Sequence, residues 1–440
     1  MKQFYFFILQ ITFCITTIAQ VDNYDISKYA RQDLIRKTAD FTTQASLSNT
    51  NNTIYNTSQA TSRFRFSARG NVDQTKFVNS LNTQSFSALS YGLSTSFASY
   101  ADTPTNSVNS DFELDPRLRY SIAKKNFKED QKFLETNFDI DLSYASTHSN
   151  IQNTENTHFG RLSSFNDLQV GIGKGRQELV LDAWNACTIF EFLKDKSLLL
   201  RKPDHETITA FANTLAEAKN ARFTDPRHES INEYELIVNF LIEQKLIDPS
   251  DYRVFAIVND AYRFERFIQR LHGTSVSVGV TSFIDIDKTS GSGGFSNPWF
   301  TTTSAGLYFN YDSDKAISQD FQQNFGFYVD LGTRWVLNDL DSQDQAWSSV
   351  VQAQYSYGYY PSQRTNLELG LTAFYRHIFD TNDFSNGQLR LTADYNYYVS
   401  PMFTWRLTAN LSLIGTHFAS NENRFWNSNS VSFTTSYRFY

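Results

Sequence analysis

Seven histidines are scattered along the 440 residues: His148, His158, His205, His228, His272, His377 and His417. None stands with another at the helical spacing that lets two imidazoles hold one zinc ion. A hydrolytic pair needs a histidine within reach of a serine or aspartate. His148 beside Ser149 and His417 near Ser420 are available, but serine is so frequent in this chain that such adjacency carries little information. The histidines read as loop or interfacial polarity, and the chain is not expected to be an enzyme. Its two cysteines are Cys14 and Cys187. With Cys14 in a leader, one thiol remains, which supports neither a disulfide nor a thiolate metal site. The run Gly171-Ile172-Gly173-Lys174-Gly175-Arg176 could suggest a phosphate cradle, but it lacks the P-loop spacing and the Lys-Ser/Thr pair. It reads as a flexible exit from a strand into a helix. No metal and no cofactor is expected.

The charges carry more information, because many recur at every second position. Arg63, Arg65, Arg69, Arg117, Arg119, Arg334, Arg376, Arg390, Arg406 and Arg438 take polar positions of alternating runs, as do Asp139, Asp141, Asp330, Glu368 and Asp394. On a β-strand, alternate residues share a face. A turn centred near Glu129 would place Arg119 opposite Asp139 and Arg117 opposite Asp141. A turn centred near Ser400 would place Asp394 opposite Arg406. Cross-strand opposite charges contribute about 0.2–1 kcal/mol each and discourage register slips. Such a lining either selects solutes or packs as a wall that holds a barrel in shape, and both readings stay open.

The elements that must position these charges are alternating strands. Phe403, Trp405, Leu407, Ala409, Leu411 and Leu413 interleave with Thr404, Arg406, Thr408, Asn410 and Ser412. One face is wholly apolar and the other wholly polar, over a length that crosses a hydrocarbon layer when tilted, about 9–11 residues. Leu389 to Tyr397, Val351 to Tyr359, Phe325 to Leu331 and Phe138 to Tyr144 repeat the pattern. Tight connections at Tyr360-Pro361-Ser362-Gln363 and Val399-Ser400-Pro401 alternate with polar ones over 287–297, 380–387 and 420–429. Short turns at one end and longer loops at the other are what a membrane barrel requires. The expected fold is mainly β: a transmembrane antiparallel β-barrel of about fourteen strands, with twelve as the alternative.

Between 173 and 272 the period becomes helical. Val254, Val258, Ala261, Phe264, Ile268 and Leu271 recur at that spacing, as do Ile208, Phe211, Ala212 and Leu215, and Tyr234, Ile237, Val238 and Leu241. Asp225-Pro226 and Asp248-Pro249 look like helix starts, and a first helix is expected near Asp182. The segment predicts a compact bundle of about four helices, periplasmic rather than filling the lumen. The division is therefore 1–19 signal peptide, 20–36 periplasmic lead-in, 37–172 first barrel half, 173–272 helical insert and 273–440 second barrel half.

Composition agrees. Aromatic residues make up 16% of the chain, with 24 Tyr and 39 Phe, yet mean hydropathy is −0.43. A chain is polar on average and rich in rings when alternate residues face lipid and water. A net charge of −7 excludes a broad basic surface for nucleic acid. Lys2, an apolar stretch from Phe4 to Ile18, and small residues around Ala19 read as a secretory leader.

The chain closes with Val431, Phe433, Thr435, Tyr437 and Phe439 on one face, and then Tyr440. With the leader and the repeated strands, this ending resembles Gram-negative outer-membrane β-barrel proteins, whose last strand ends in an aromatic residue. The resemblance implies residence in the outer membrane and contact with its lipid. It also implies that Tyr437, Phe439 and Tyr440 form the signal read by the barrel assembly machinery. It is a resemblance of class, and no catalytic residue carries over. The expected function is a porin-like or selective transport channel. The alternatives are a non-transport envelope protein that docks a periplasmic partner or aids export through the insert, and an outer-membrane hydrolase.

Overall fold

A computed structural model describes residues 24–31, 33–54, 59–102, 107–150, 157–220, 226–264, 270–291, 300–338, 343–362, 364–379, 384–400, 403–418 and 423–437. Among them, fourteen strands form one antiparallel sheet whose spatial order is the chain order. They are β1 (Leu34–Ile54), β2 (Gln59–Asn79), β3 (Thr83–Asp102), β4 (Ser107–Phe127), β5 (Lys132–Asn150), β6 (Thr157–Leu179) and β7 (Leu271–Gly291). The remainder are β8 (Phe300–Ala316), β9 (Phe321–Asn338), β10 (Gln343–Ser362), β11 (Thr365–Phe379), β12 (Phe384–Ser400), β13 (Phe403–Phe418) and β14 (Asn423–Tyr437). The first and last strands approach each other. Among the described residues, four helices lie between β6 and β7: α1 (Leu181–Asp195), α2 (His205–Asn220), α3 (Pro226–Glu243) and α4 (Tyr252–Phe264).

The sheet has two unlike faces because its sequence alternates. On β13, Trp405, Leu407, Leu411 and Leu413 stand exposed, while Thr404, Ser412 and Thr416 on the other face are buried. On β12, Leu389, Leu391 and Tyr395 are exposed at the matching positions. Leu118, Leu142, Leu168, Val278, Leu307, Leu331 and Leu371 continue this apolar face across the sheet. The best-buried apolar side chains lie elsewhere, chiefly in the helices: Ile189, Phe190, Leu193, Phe211, Leu215, Ile237 and Val258 form one cluster. A water-soluble sheet would hide its large side chains against such a core. This sheet presents them.

Several expectations about element ends need correction. Strands run further than the alternation indicates. Residues Gly173 to Leu179, read as the entrance of the insert, belong to β6 and pair with β7 from Ser277 to Leu271. Leu271, read as helical, opens β7. The polar stretches at 287–291, 384–387 and 423–429 are strand for the same reason. A ladder satisfies backbone groups whatever the side chains are, so alternation marks only the part with an apolar face. The Gly171–Gly175 run is not a flexible exit. At Gly171 and Gly173 the absent side chains make room for Tyr308 and Phe133, whose rings lie against the bare strand. Pro249 does not open a helix. α4 begins at Tyr252, with the Asp251 carboxylate accepting the Arg253 N–H at 3.0 Å.

The lead-in is more than a polar tether. Ile26 and Tyr29 are buried in the helical cluster. The Tyr24 hydroxyl lies 2.9 Å from Thr209 Oγ1, and Arg31 donates to the Asn213 carbonyl. The segment straps α2 before β1 begins at Leu34.

Candidate functional site

The polar face of the sheet holds most of the charges expected there, in a register that differs from the expected one. Asp141 lies directly opposite Arg119, and Asp139 opposite Ser121. The β4–β5 turn is centred on Asp130 rather than Glu129, and Asp130 has φ 59°. One residue of displacement at a turn moves every partner by two, which changes the pairing and keeps the face. Arg119 and Asp139 are therefore not partners. Asp141 is taken instead by Arg117, whose Nε donates to Oδ1 at 2.8 Å. The β12–β13 ladder departs likewise: Asp394 lies opposite Thr408, and Arg406 opposite Asn396. Arg406 still reaches Asp394 at 3.0 Å, and Thr408 donates to the same oxygen at 2.5 Å.

A third pair joins Arg161 to Asp287 at 2.9 Å, although Asp287 directly faces Ser163. All three pairs are diagonal. In each, the residue on the later strand stands two positions nearer the helical end. A right-handed sheet twist brings that diagonal closer for long side chains. The arginines of these pairs are about half exposed, so each pair is worth about 0–1 kcal/mol.

The remaining expected residues divide in two. Asp330 lies opposite Tyr308 and Val350 and accepts from the Tyr328 hydroxyl at 3.2 Å. Glu368 faces Asp394, and Asp139 faces Asp167, so like charges share the wall there. Arg334 faces Ser304 and Ala346, Arg376 faces Val350 and Asn386, and Arg390 faces Thr372 and Ser412. No carboxylate reaches any of these three among the described residues. Arg69 holds a polar-face position and donates to Asn71 at 3.1 Å. The side chains of Arg63, Arg65 and Tyr437 lie outside the described residues, as do Arg438, Phe439 and Tyr440 altogether.

The helical end adds residues that sequence reasoning missed. Asp182, fully buried near the start of α1, accepts from Arg36 at 2.8 Å and Lys219 at 2.7 Å. Burial alone would raise its pKa, but Arg36 and Lys219 together outweigh burial and hold the carboxyl below its ordinary range. Arg36 also donates to Asn220 at 2.7 Å. This network ties β1 to α1 and α2. Arg270 is the second anchor. It is fully buried and lies over the rings of Trp184 and Tyr360, 5.6 and 5.0 Å from their centroids. It donates to the carbonyls of Ser318 at 2.8 Å and Phe321 at 3.0 Å. Burial pushes its guanidinium down to about 10, which leaves it charged at neutral pH. Asp182 stood in the sequence only as a helix start. Neither Arg36 nor Arg270 sits in a pattern that marks it.

These anchors are surrounded by apolar contacts. Leu34 of β1, Leu179 of β6 and Tyr360 of β10 pack with Leu181, Trp184 and Ala216 of the helices. Ala316 of β8 joins the main helical cluster, and Arg364, in the β10–β11 turn, pairs with Asp260 of α4 at 2.7 Å. Cys187 is buried here and its thiol is pushed up by burial. His148 is exposed and lies opposite His158 on the β5–β6 ladder, His377 and His417 both lie opposite Ser385, and His205 packs edge-on against Tyr24. Among the described residues, no group of three His, Cys, Asp or Glu side chains is placed to hold a metal.

No family model matches the sequence, and no curated protein matches it. The chain resembles Gram-negative outer-membrane β-barrel proteins among solved structures. The translocator domain of the autotransporter NalP from Neisseria meningitidis has 10% identity and a TM-score of 0.30, over 95% of this chain and 91% of that one. A bacterial polysaccharide outer membrane secretin has 9% identity and a TM-score of 0.27, over 93% and 100%. The monoaromatic hydrocarbon channel CymD has 8% identity and a TM-score of 0.29, over 93% and 89%.

Proposed function

We propose that the chain is an outer-membrane β-barrel of fourteen strands whose charged lumen is a selective, gated passage, with the helical bundle seated in its periplasmic mouth. The observation that carries this reading is the division of the sheet into an exposed apolar face and a charged polar face. Only lipid on one side and water on the other stabilise both faces at once. Closure is supported by the approach of β1 to β14. It is supported also by one small bundle touching β1, β6, β8 and β10, since a flat sheet would hold those strands tens of ångströms apart at about 4.8 Å per strand. In this reading outer-membrane lipid meets the apolar face, and the barrel assembly machinery reads the aromatic ending. The 1–19 segment directs export, and the chain is a passage and not an enzyme.

A second reading, docking of a periplasmic partner or aid to export, is favoured by apolar side chains on the bundle. Tyr252 is 83% exposed, and Ile231 and Phe255 are also more than half exposed.

Planar-bilayer conductance tests the passage. The full chain should show rare, brief openings. Asp182→Ala combined with Trp184→Ala should loosen the bundle and give long-lived steps. Silence of both proteins across chloride, gluconate and potassium salts would remove the passage and leave the docking reading.

A further inference from the structure

We propose that the lumen wall over β10–β12 binds small hydroxylated organic anions, with Arg376 and Arg390 holding the acid group on either side of Phe374. The proposal rests on the passage reading and names the solute class. A cavity of about 200 Å³ opens on the polar face, lined by Gln352, Thr372, Phe374, Gln388 and Arg390. Arg376 stands two residues beyond Phe374 on the same face of β11.

The arginines of the polar face fall into two groups. Arg117, Arg161 and Arg406 each have an aspartate on the favoured diagonal. Arg376 and Arg390 have none among the described residues, and the residues directly opposite them, Val350, Asn386, Thr372 and Ser412, carry no charge. Arg334 adds a like charge to the field at Arg376 and itself interacts with Asp285. The Nε atoms of Arg334 and Arg376 are buried with no hydrogen-bond partner among the described residues. Buried unpaired donors and adjacent like charges are both costly, and an anion held at Arg376 relieves both at that residue.

The neighbours define the rest of the ligand. A guanidinium fork matches a carboxylate or phosphate group with two parallel hydrogen bonds. The amides of Gln352 and Gln388 each offer a donor and an acceptor, which suits hydroxyl groups. Phe374 supplies an apolar face beside them, as small-molecule sites combine apolar walls with a few placed polar groups.

The test is isothermal titration of the full chain in detergent micelles at physiological ionic strength with glucuronate, glucose 6-phosphate and glucose. One or both acids should bind at least tenfold more tightly than glucose, and which acid binds identifies carboxylate or phosphate as the group held. Arg376→Gln with Arg390→Gln should weaken acid binding at least tenfold, while Arg161→Gln, on a paired arginine, should leave it unchanged. Arg376→Lys with Arg390→Lys should restore part of it, which separates loss of charge from loss of fold. Absence of binding by either acid, glucose binding as tightly as the acids, or acid binding indifferent to the double glutamine change would overturn the proposal. The measurement needs no membrane, so intact binding with a silent bilayer would sink the passage and keep the site.

Discussion

Two aspartates with arginine partners behave differently because their surroundings differ. Asp182 is fully buried between Arg36 and Lys219, whereas Asp394 shares Arg406 with solvent. Removing one member of a buried charge cluster strands the others and costs about 3–5 kcal/mol. Removing one member of an exposed pair costs at most about 1 kcal/mol. Asp182→Ala should therefore destabilise the helices several-fold more than Asp394→Ala, read as the loss of helical ellipticity in guanidinium. The acid response follows with a definite sign. The Asp182 carboxyl is held below its ordinary range in the fold, so its contribution is fully present above the unfolded carboxyl range and is lost as pH falls through the lower folded value. Hydrogen exchange in α1 should stay slow from neutral pH down to the ordinary carboxylate range and accelerate below it. Asp182→Asn should flatten that response. An unchanged acid response in Asp182→Asn would assign it to another group.

At the level of elements, alternation at Leu407 and Asn410 made the two-faced strands legible, because period 2 is a property of the backbone itself. Register was less legible. The Arg119–Asp139 expectation failed through a one-residue error at Asp130, and no side-chain pattern marks the centre of a turn that short. The strand ends were illegible for the reason that Gly173 shows: a residue without a side chain carries no alternation, yet it pairs as well as any other. Gly173 also carries a packing role. A side chain there would press on the Val276 carbonyl and the Phe133 ring. Gly173→Leu should cost about 1–3 kcal/mol by overpacking, seen as a lower temperature for loss of the heat-resistant folded band on a gel. Phe133→Ala in that background should recover only part of the loss, because the Val276 backbone stays in place.

Across the whole molecule, the helices were legible as a bundle but their seat was not, because Arg36, Asp182 and Arg270 lie far apart in sequence and each looks ordinary where it stands. The seat changes what the molecule is. On the proposed passage reading, a bundle anchored on β1, β6, β8 and β10 would hold the mouth closed until those contacts are relieved, whereas a charged channel open at both ends would be a sieve. The proposed two-faced barrel depends on lipid covering the apolar face. Single cysteines placed at Leu407, Leu411, Thr408 and Asn410 on β13, labelled with a small fluorophore in reconstituted vesicles, test that most directly. Quenchers carried on lipid tails should dim the labels at 407 and 411, and water-soluble quenchers those at 408 and 410. Equal quenching of all four positions by the water-soluble agent would contradict it.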